Sequence, residues 1–261
     1  MTKVSIRTYE QARPAALPDG FTGAATYREY FGARENALQL HAFELPRAGL
    51  LGFERGKVDR VAYIWRGTVN VGGHRLGEGS SFIVEHGREL EALGLGDRSI
   101  ALVFAANQRT GRSLAGGHVH LLPTESVPRS GDLGGASGVG GGMHADSACP
   151  TCEVWLHENS FSGSQDGART DAEAGIHSHT EDEIIFVTDG DIRLGSLLYG
   201  SGTALAIAAN TLYGFSAGPN GLKFVNFRAS APGAIAFRNR ASMDERAYWS
   251  SRLPRPVYIN L

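Results

Sequence analysis

The feature that most restricts how this chain can fold is an internal repeat. RVAYIWRGTVNVGG (Arg60–Gly73) is similar to EIIFVTDGDIRLGS (Glu183–Ser196), and GEGSSFIVEHG (Gly77–Gly87) to GSGTALAIAAN (Gly200–Asn210). Both pairs share one offset, set by Gly67 against Gly190 and Gly77 against Gly200. A third pair, LQLHAFELP (Leu38–Pro46) and VWLHENSFS (Val154–Ser162), has a shorter offset. The second half therefore carries extra residues, which fall in the polar loop Gly163–Gly175. Three matches in one order indicate two copies of one structural unit.

The repeated segments are short β-branched or aromatic runs separated by glycine turns, and the chain holds 35 glycines. That spacing is the signature of an all-β sandwich or barrel rather than of βαβ units. Helical periodicity is confined to Ala241–Ser251, with a short turn near Thr26–Phe31. The segment RSGDLGGASGVGGGM (Arg129–Met143) lacks side chains to pack and reads as a linker. The expected organisation is an arm over 1–19, a barrel over 20–125, a Gly-rich linker over 126–149, a second barrel over 150–238 and a tail over 239–261.

Lys and Arg number 25 against 27 Asp and Glu, so no basic excess favours nucleic acid. No apolar run approaches a membrane span, and the start carries no apolar secretory region. With two cysteines in 261 residues the expected compartment is the cytoplasm.

The sharpest chemical signal is GIHSHTEDEIIFVTDG, Gly175–Gly190. In an extended strand His177, His179 and Glu183 share one face, together with Ile185 and Val187. Two imidazoles and a carboxylate converging inside a barrel suit iron, manganese, nickel or zinc, and with open positions they form the non-haem iron pattern.

His177, His179, Glu183 and Gly190 resemble the first motif of the cupin superfamily. Gly200–Gly218 resembles its second motif, with Gly202, Asn210, Gly214 and Phe215 in place. Two family prolines fall on Ala208 and Leu212, and the fourth ligand position falls on Tyr213 instead of histidine. The resemblance implies two tandem double-stranded β-helix barrels, a bicupin, with one divalent transition metal (Fe, Mn, Ni or Zn) at His177, His179 and Glu183. Tyr213 is then an anionic ligand, a neutral hydrogen-bond donor beside the metal, or a general acid/base. His157 is a candidate substrate contact or replacement ligand, set against a plain packing role like that of its repeat partner His41. Ile185 and Val187 are candidate pocket residues.

In the first half Glu54, Gly56 and Arg60 stand at the positions of His177, His179 and Glu183, and Leu90 at that of Tyr213. No metal site is expected there, and the first barrel reads as a structural wall or dimerisation partner. His118-Val-His120 followed by Glu125 is interrupted by Pro123. Cys149-Pro-Thr-Cys152, with His144 nearby, reads as an inert reduced pair, a redox pair or part of a zinc site. The glycines of GVGGGM lack the Lys-Ser/Thr and helix of a phosphate loop.

The function implied is a metal-dependent cupin enzyme acting on a small oxygen-chelating organic substrate, foremost a non-haem dioxygenase. A redox-neutral lyase, isomerase or hydrolase, and a non-catalytic small-molecule or sugar binder, are the alternatives. A homodimer is expected, with no nucleic-acid or membrane partner.

Overall fold

Strand Leu38–Leu45 pairs antiparallel with Ser99–Ala106, which pairs with Arg60–Arg66, which pairs with Ser81–Val84. The second half repeats that order: Trp155–Phe161 with Ser216–Arg228, then Glu183–Leu194, then Ala204–Ile207. The segments matched by the repeat thus occupy equivalent strands. The computed structural model describes residues 3–109, 115–133, 139–162 and 175–261. Residues 163–174, which hold nearly all of the extra polar loop, lie outside them. The fold is all-β, and among the described residues its one α-helix is Glu245–Ser250, inside the expected helical stretch. No described helix is long and apolar enough to cross a membrane.

The chain divides into two compact units that are not contiguous in sequence. The C-terminal unit draws on Met1–Glu10, Pro128–Asp146 and Trp155–Arg255. The N-terminal unit draws on Gln11–Val127, Ser147–Val154 and Pro256–Leu261. The sequence expectation was a linear order of arm, barrel, linker, barrel and tail, whereas these units draw on interleaved segments. The expected arm contributes strand Val4–Arg7, which pairs with Ala204–Ile207 of the C-terminal unit. The expected tail ends in Ile259–Asn260, which pairs with Leu121 and His120 of the N-terminal unit.

Two local expectations are also corrected. Thr26–Phe31 is a strand rather than a turn, because Tyr27, Tyr30 and Phe31 are buried and the segment pairs with Leu38–Leu45. Val139–Asp146, read as linker, is an eight-residue strand paired with Trp155–Phe161. Its glycines serve close packing. A Cβ on Gly141 would lie 2.6 Å from the Glu158 carbonyl oxygen and 2.9 Å from Trp249, and one on Gly140 would lie 2.7 Å from Ser160 Oγ.

Each unit has its own apolar core. In the N-terminal unit it includes Phe43, Phe53, Ile64, Phe82 and Val103. In the C-terminal unit Ile185, Val187, Leu205, Ile207 and Phe224 form the floor on which the candidate site rests.

Candidate active site

The short strand His177–His179 pairs with Ala234–Phe237, and an isolated bridge ties it to Tyr213. The bridge is reciprocal: His177 N donates to Tyr213 O and Tyr213 N to His177 O, both at 3.0 Å. The two motifs identified in the sequence are therefore joined by backbone hydrogen bonds. The His177 and His179 rings meet edge to face at 5.0 Å, and the Tyr213 ring lies 4.6 Å from His177. His177 Nδ1 is 2.8 Å from the Gly175 carbonyl, which can only accept, so Nδ1 carries the proton. Nε2 is then the acceptor, and the Tyr213 hydroxyl donates to it at 3.2 Å.

Glu183 opens the central strand Glu183–Leu194 and is buried beneath these rings. Its Oε2 accepts from Asn226 Nδ2 at 2.7 Å and from Arg228 Nη2 at 3.0 Å. Both donors come from the adjacent strand Ser216–Arg228, where alternate residues share a face. Arg228 Nη1 donates to Glu245 Oε2 at 2.6 Å, at the start of the helix. His179 Nδ1 lies 3.2 Å from Glu245 Oε2 and 3.0 Å from Arg228 Nη2. One buried guanidinium therefore bridges two buried carboxylates and touches an imidazole.

The surroundings set the charges. Burial alone would raise the pKa of Glu183, but Arg228, then His179 and the hydrogen bond from Asn226, hold it below the ordinary carboxylate value. Glu245 is lowered likewise, against burial, chiefly by Arg228. Burial followed by the Glu183 charge pushes Tyr213 well above the ordinary phenol value, so it stays protonated as a donor. Burial lowers His177, keeping it neutral.

The donor chemistry here fits a divalent cation. Two neutral-capable imidazoles stand beside a carboxylate whose Oε1 is buried without a hydrogen-bond partner, as is Asn226 Oδ1. A cation at this point competes with Arg228 for Glu183 and with the Tyr213 hydroxyl for His177 Nε2. Among the described residues, the donor atoms that gather within 4.8 Å of one another belong to a different set, Glu85, His120, Cys149 and Cys152 of the N-terminal unit. None of these four is one of the positions Glu54, Gly56, Arg60 and Leu90 at which the repeat led to no expected metal site, and Cys149 and Cys152 are the pair read from the sequence as inert, redox-active or zinc-binding.

The structure thus pairs His177 with Tyr213 and sets His179 against Arg228 and Glu245, with Arg228 between the two carboxylates. Ile185 and Val187 are fully buried core residues. His157 is buried, accepts at Nδ1 from Trp155 Nε1 at 2.7 Å, and packs against Trp249 at 4.6 Å. Burial lowers its pKa to about 3. His144 faces Glu158 at 3.3 Å and lies in the other unit from Cys149 and Cys152. Arg228, Asn226 and Glu245 were not identified from the sequence. The available signal was the alternation in Phe224–Arg228, which puts Asn226 and Arg228 on one face.

No protein-family profile and no curated protein matches the sequence. Solved structures do resemble it. Protein Ylba from E. coli superposes with a TM-score of 0.64 at 12% identity, covering 87% of this chain and 90% of that one. Oxalate decarboxylase from Lactobacillus farciminis, a formate complex, gives 0.64 at 10% identity, covering 94% and 90%. Bacillus subtilis oxalate decarboxylase, an enzyme with Mn(II) centers, gives 0.61 at 13%, covering 90% and 79%. At these identities the likeness establishes the fold, a cupin-type β-architecture.

Proposed function

We propose that this protein is a metal-dependent bicupin enzyme acting on a small oxygen-chelating organic substrate, and that its chemistry is redox-neutral. The repeated strand order in the two units supports the bicupin reading. His177, His179 and Glu183 are the residues that would hold the cation. The chemistry supplied by such an ion is polarisation of a chelating substrate oxygen.

The observation that carries the redox-neutral reading is the Tyr213 hydroxyl 3.2 Å from His177 Nε2, which a cation taking Nε2 as its ligand would free to donate toward a bound substrate. A dioxygenase was the first expectation from the two-His, one-carboxylate set. A phenol kept protonated beside the residues that would hold the cation is instead a proton donor, which lyase and isomerase chemistry needs. Tyr213 then acts as general acid toward the substrate. The backbone bridge to His177 and packing on Phe215 hold the phenol in place, and Arg228 keeps Glu183 ionised at neutral pH. The oxalate decarboxylase neighbours add support for a small acid as substrate.

The Arg228–Glu183 pair favours a second reading, a metal-free small-molecule binder whose internal charge is already balanced. The test is to load the protein with Mn(II), incubate it with a panel of small hydroxy- and keto-acids including oxalate, and follow each by NMR with and without dioxygen. Turnover without dioxygen that is lost in Tyr213→Phe supports the proposal. Dioxygen uptake matching turnover would restore the dioxygenase. Binding without turnover, undiminished by a chelator, would select the second reading.

A further inference from the structure

The N-terminal unit gathers four chemically reactive side chains that the proposed enzyme site does not use. Glu85 directly follows strand Ser81–Val84, and His120 sits on the neighbouring strand Val119–Leu122, opposite Ile83. The segment Ser147–Val154, which belongs to the same unit, brings Cys149 and Cys152 to them. His120 Nε2 lies 2.7 Å from Glu85 Oε1, and Cys149 Sγ lies 3.6 Å from His120 Nε2 and 3.7 Å from Glu85 Oε1. One donor atom from each of the four falls within a 4.8 Å span. Both cysteines are free thiols; Cys152 is buried and Cys149 partly so.

The distances match a small coordination sphere. With metal–sulfur bonds of about 2.3 Å and metal–nitrogen or –oxygen bonds of about 2.0 Å, the edges of a tetrahedron are about 3.3–3.8 Å. The two Cys149 separations fall in that range, and the shorter His120–Glu85 contact is a hydrogen-bonding distance that a shared cation replaces. The surrounding groups orient the donors. Asn260 Oδ1 accepts from His120 Nδ1 at 2.6 Å and so fixes the ring with Nε2 toward Glu85 and Cys149, where without metal Nε2 donates to Glu85 Oε1 and a bound cation would take that proton's place. The Thr151 hydroxyl donates to Glu85 Oε1 at 2.6 Å, and the His118 backbone N–H to Oε2 at 2.9 Å. Tyr258 covers one face of the His120 ring at 5.3 Å.

From this geometry we propose that Glu85, His120, Cys149 and Cys152 form a site for a thiophilic divalent cation, zinc in the first instance. Two thiolates with an imidazole exclude magnesium and calcium by ligand softness. Four protein ligands make the site closed and therefore structural, a clip fastening Ser147–Val154 to the strand pair. The site is separate from His177, His179 and Glu183, and stands whether or not those residues hold a metal.

The test uses the full chain, purified under reducing conditions without added metal, with zinc and cobalt as probes. The expected result is one equivalent of zinc surviving dialysis, retained in the double variant His177→Ala/His179→Ala and lost in Cys149→Ser and Cys152→Ser. Asn260→Ala should weaken zinc binding about 10–100-fold. Cobalt(II) in the wild-type protein should give thiolate charge-transfer bands and intense tetrahedral visible bands, a readout that stands even if a cysteine variant fails to fold. The proposal is overturned if folded, reduced wild-type protein takes up neither ion. It is equally overturned if cobalt binds without thiolate bands, or if Cys149 and Cys152 close to a disulfide that zinc does not prevent. Loss of bound metal only in the His177→Ala/His179→Ala variant would sink this site and leave the proposed enzyme site standing.

Discussion

Arg228 donates to Glu183 at 3.0 Å with each side chain 1% exposed, so the charge that the sequence placed at the centre of a metal site already has a protein partner. Glu245 shares the same guanidinium. Removing Arg228 leaves two buried carboxylates uncompensated, which is costlier than removing an apolar side chain of similar size. Arg228→Ala should destabilise the C-terminal unit by about 3–5 kcal/mol in denaturant titrations. A loss under about 1 kcal/mol would mean that the carboxylates are held by something else.

Tyr213→Phe removes the hydroxyl while keeping the ring against His177 and Phe215. If Tyr213 delivers a proton, kcat should fall about 10²–10⁴-fold with metal content unchanged. Parallel loss of metal and activity, by elemental analysis and assay on the same preparation, would make Tyr213 a ligand instead.

Acid sensitivity should trace to two buried histidines. Burial lowers His157 to about 3 and His41 to about 4, from an ordinary 6.5. The unfolded chain therefore binds more protons in that interval, so their stabilising contribution is full above about pH 6.5 and declines as pH falls. Each site should contribute about 2 kcal/mol less at pH 5 than at pH 7. Urea midpoints of His157→Gln and His41→Gln should fall less steeply with acid than those of the wild type. Identical slopes would refute the assignment.

Gly67 and Gly190, equivalent in the repeat, both adopt left-handed backbone, with φ of 74° and 70°. A Cβ would lie 2.5 Å from the Arg98 carbonyl oxygen at the first and 2.3 Å from that of Gly221 at the second. Alanine at either position should cost at least about 1–3 kcal/mol. Calorimetry of the two variants should show comparable losses; a neutral substitution at one would break the equivalence.

These glycines also show why much of the fold was legible. A turn that only glycine can make leaves the same letter at the same place in both copies, and Gly67 and Gly190 set the strand alignment that the structure bears out. Gly140–Gly142 misled because their smallness answers to Ser160, Glu158 and Trp249, neighbours that no local window contains. The His177–Glu183 motif was legible because it is local, and its link to Tyr213 because both motifs resembled one family. Arg228 and Glu245 carry no local pattern that marks them as partners of Glu183. The convergence of Glu85, His120 and Cys149 was hidden for the same reason, since a chain crossing between two units delivers the cysteines.

The pairing of Val4 with Ile207 has a consequence for biosynthesis. Strand Val4–Arg7 must wait for a partner roughly 200 residues behind it, a separation that slows closure. Likewise, Ile259–Asn260 joins strand Val119–Leu122, which was made long before it. Neither unit is one continuous stretch of chain, so nascent chains carry open sheet edges until the distant partner strands are made.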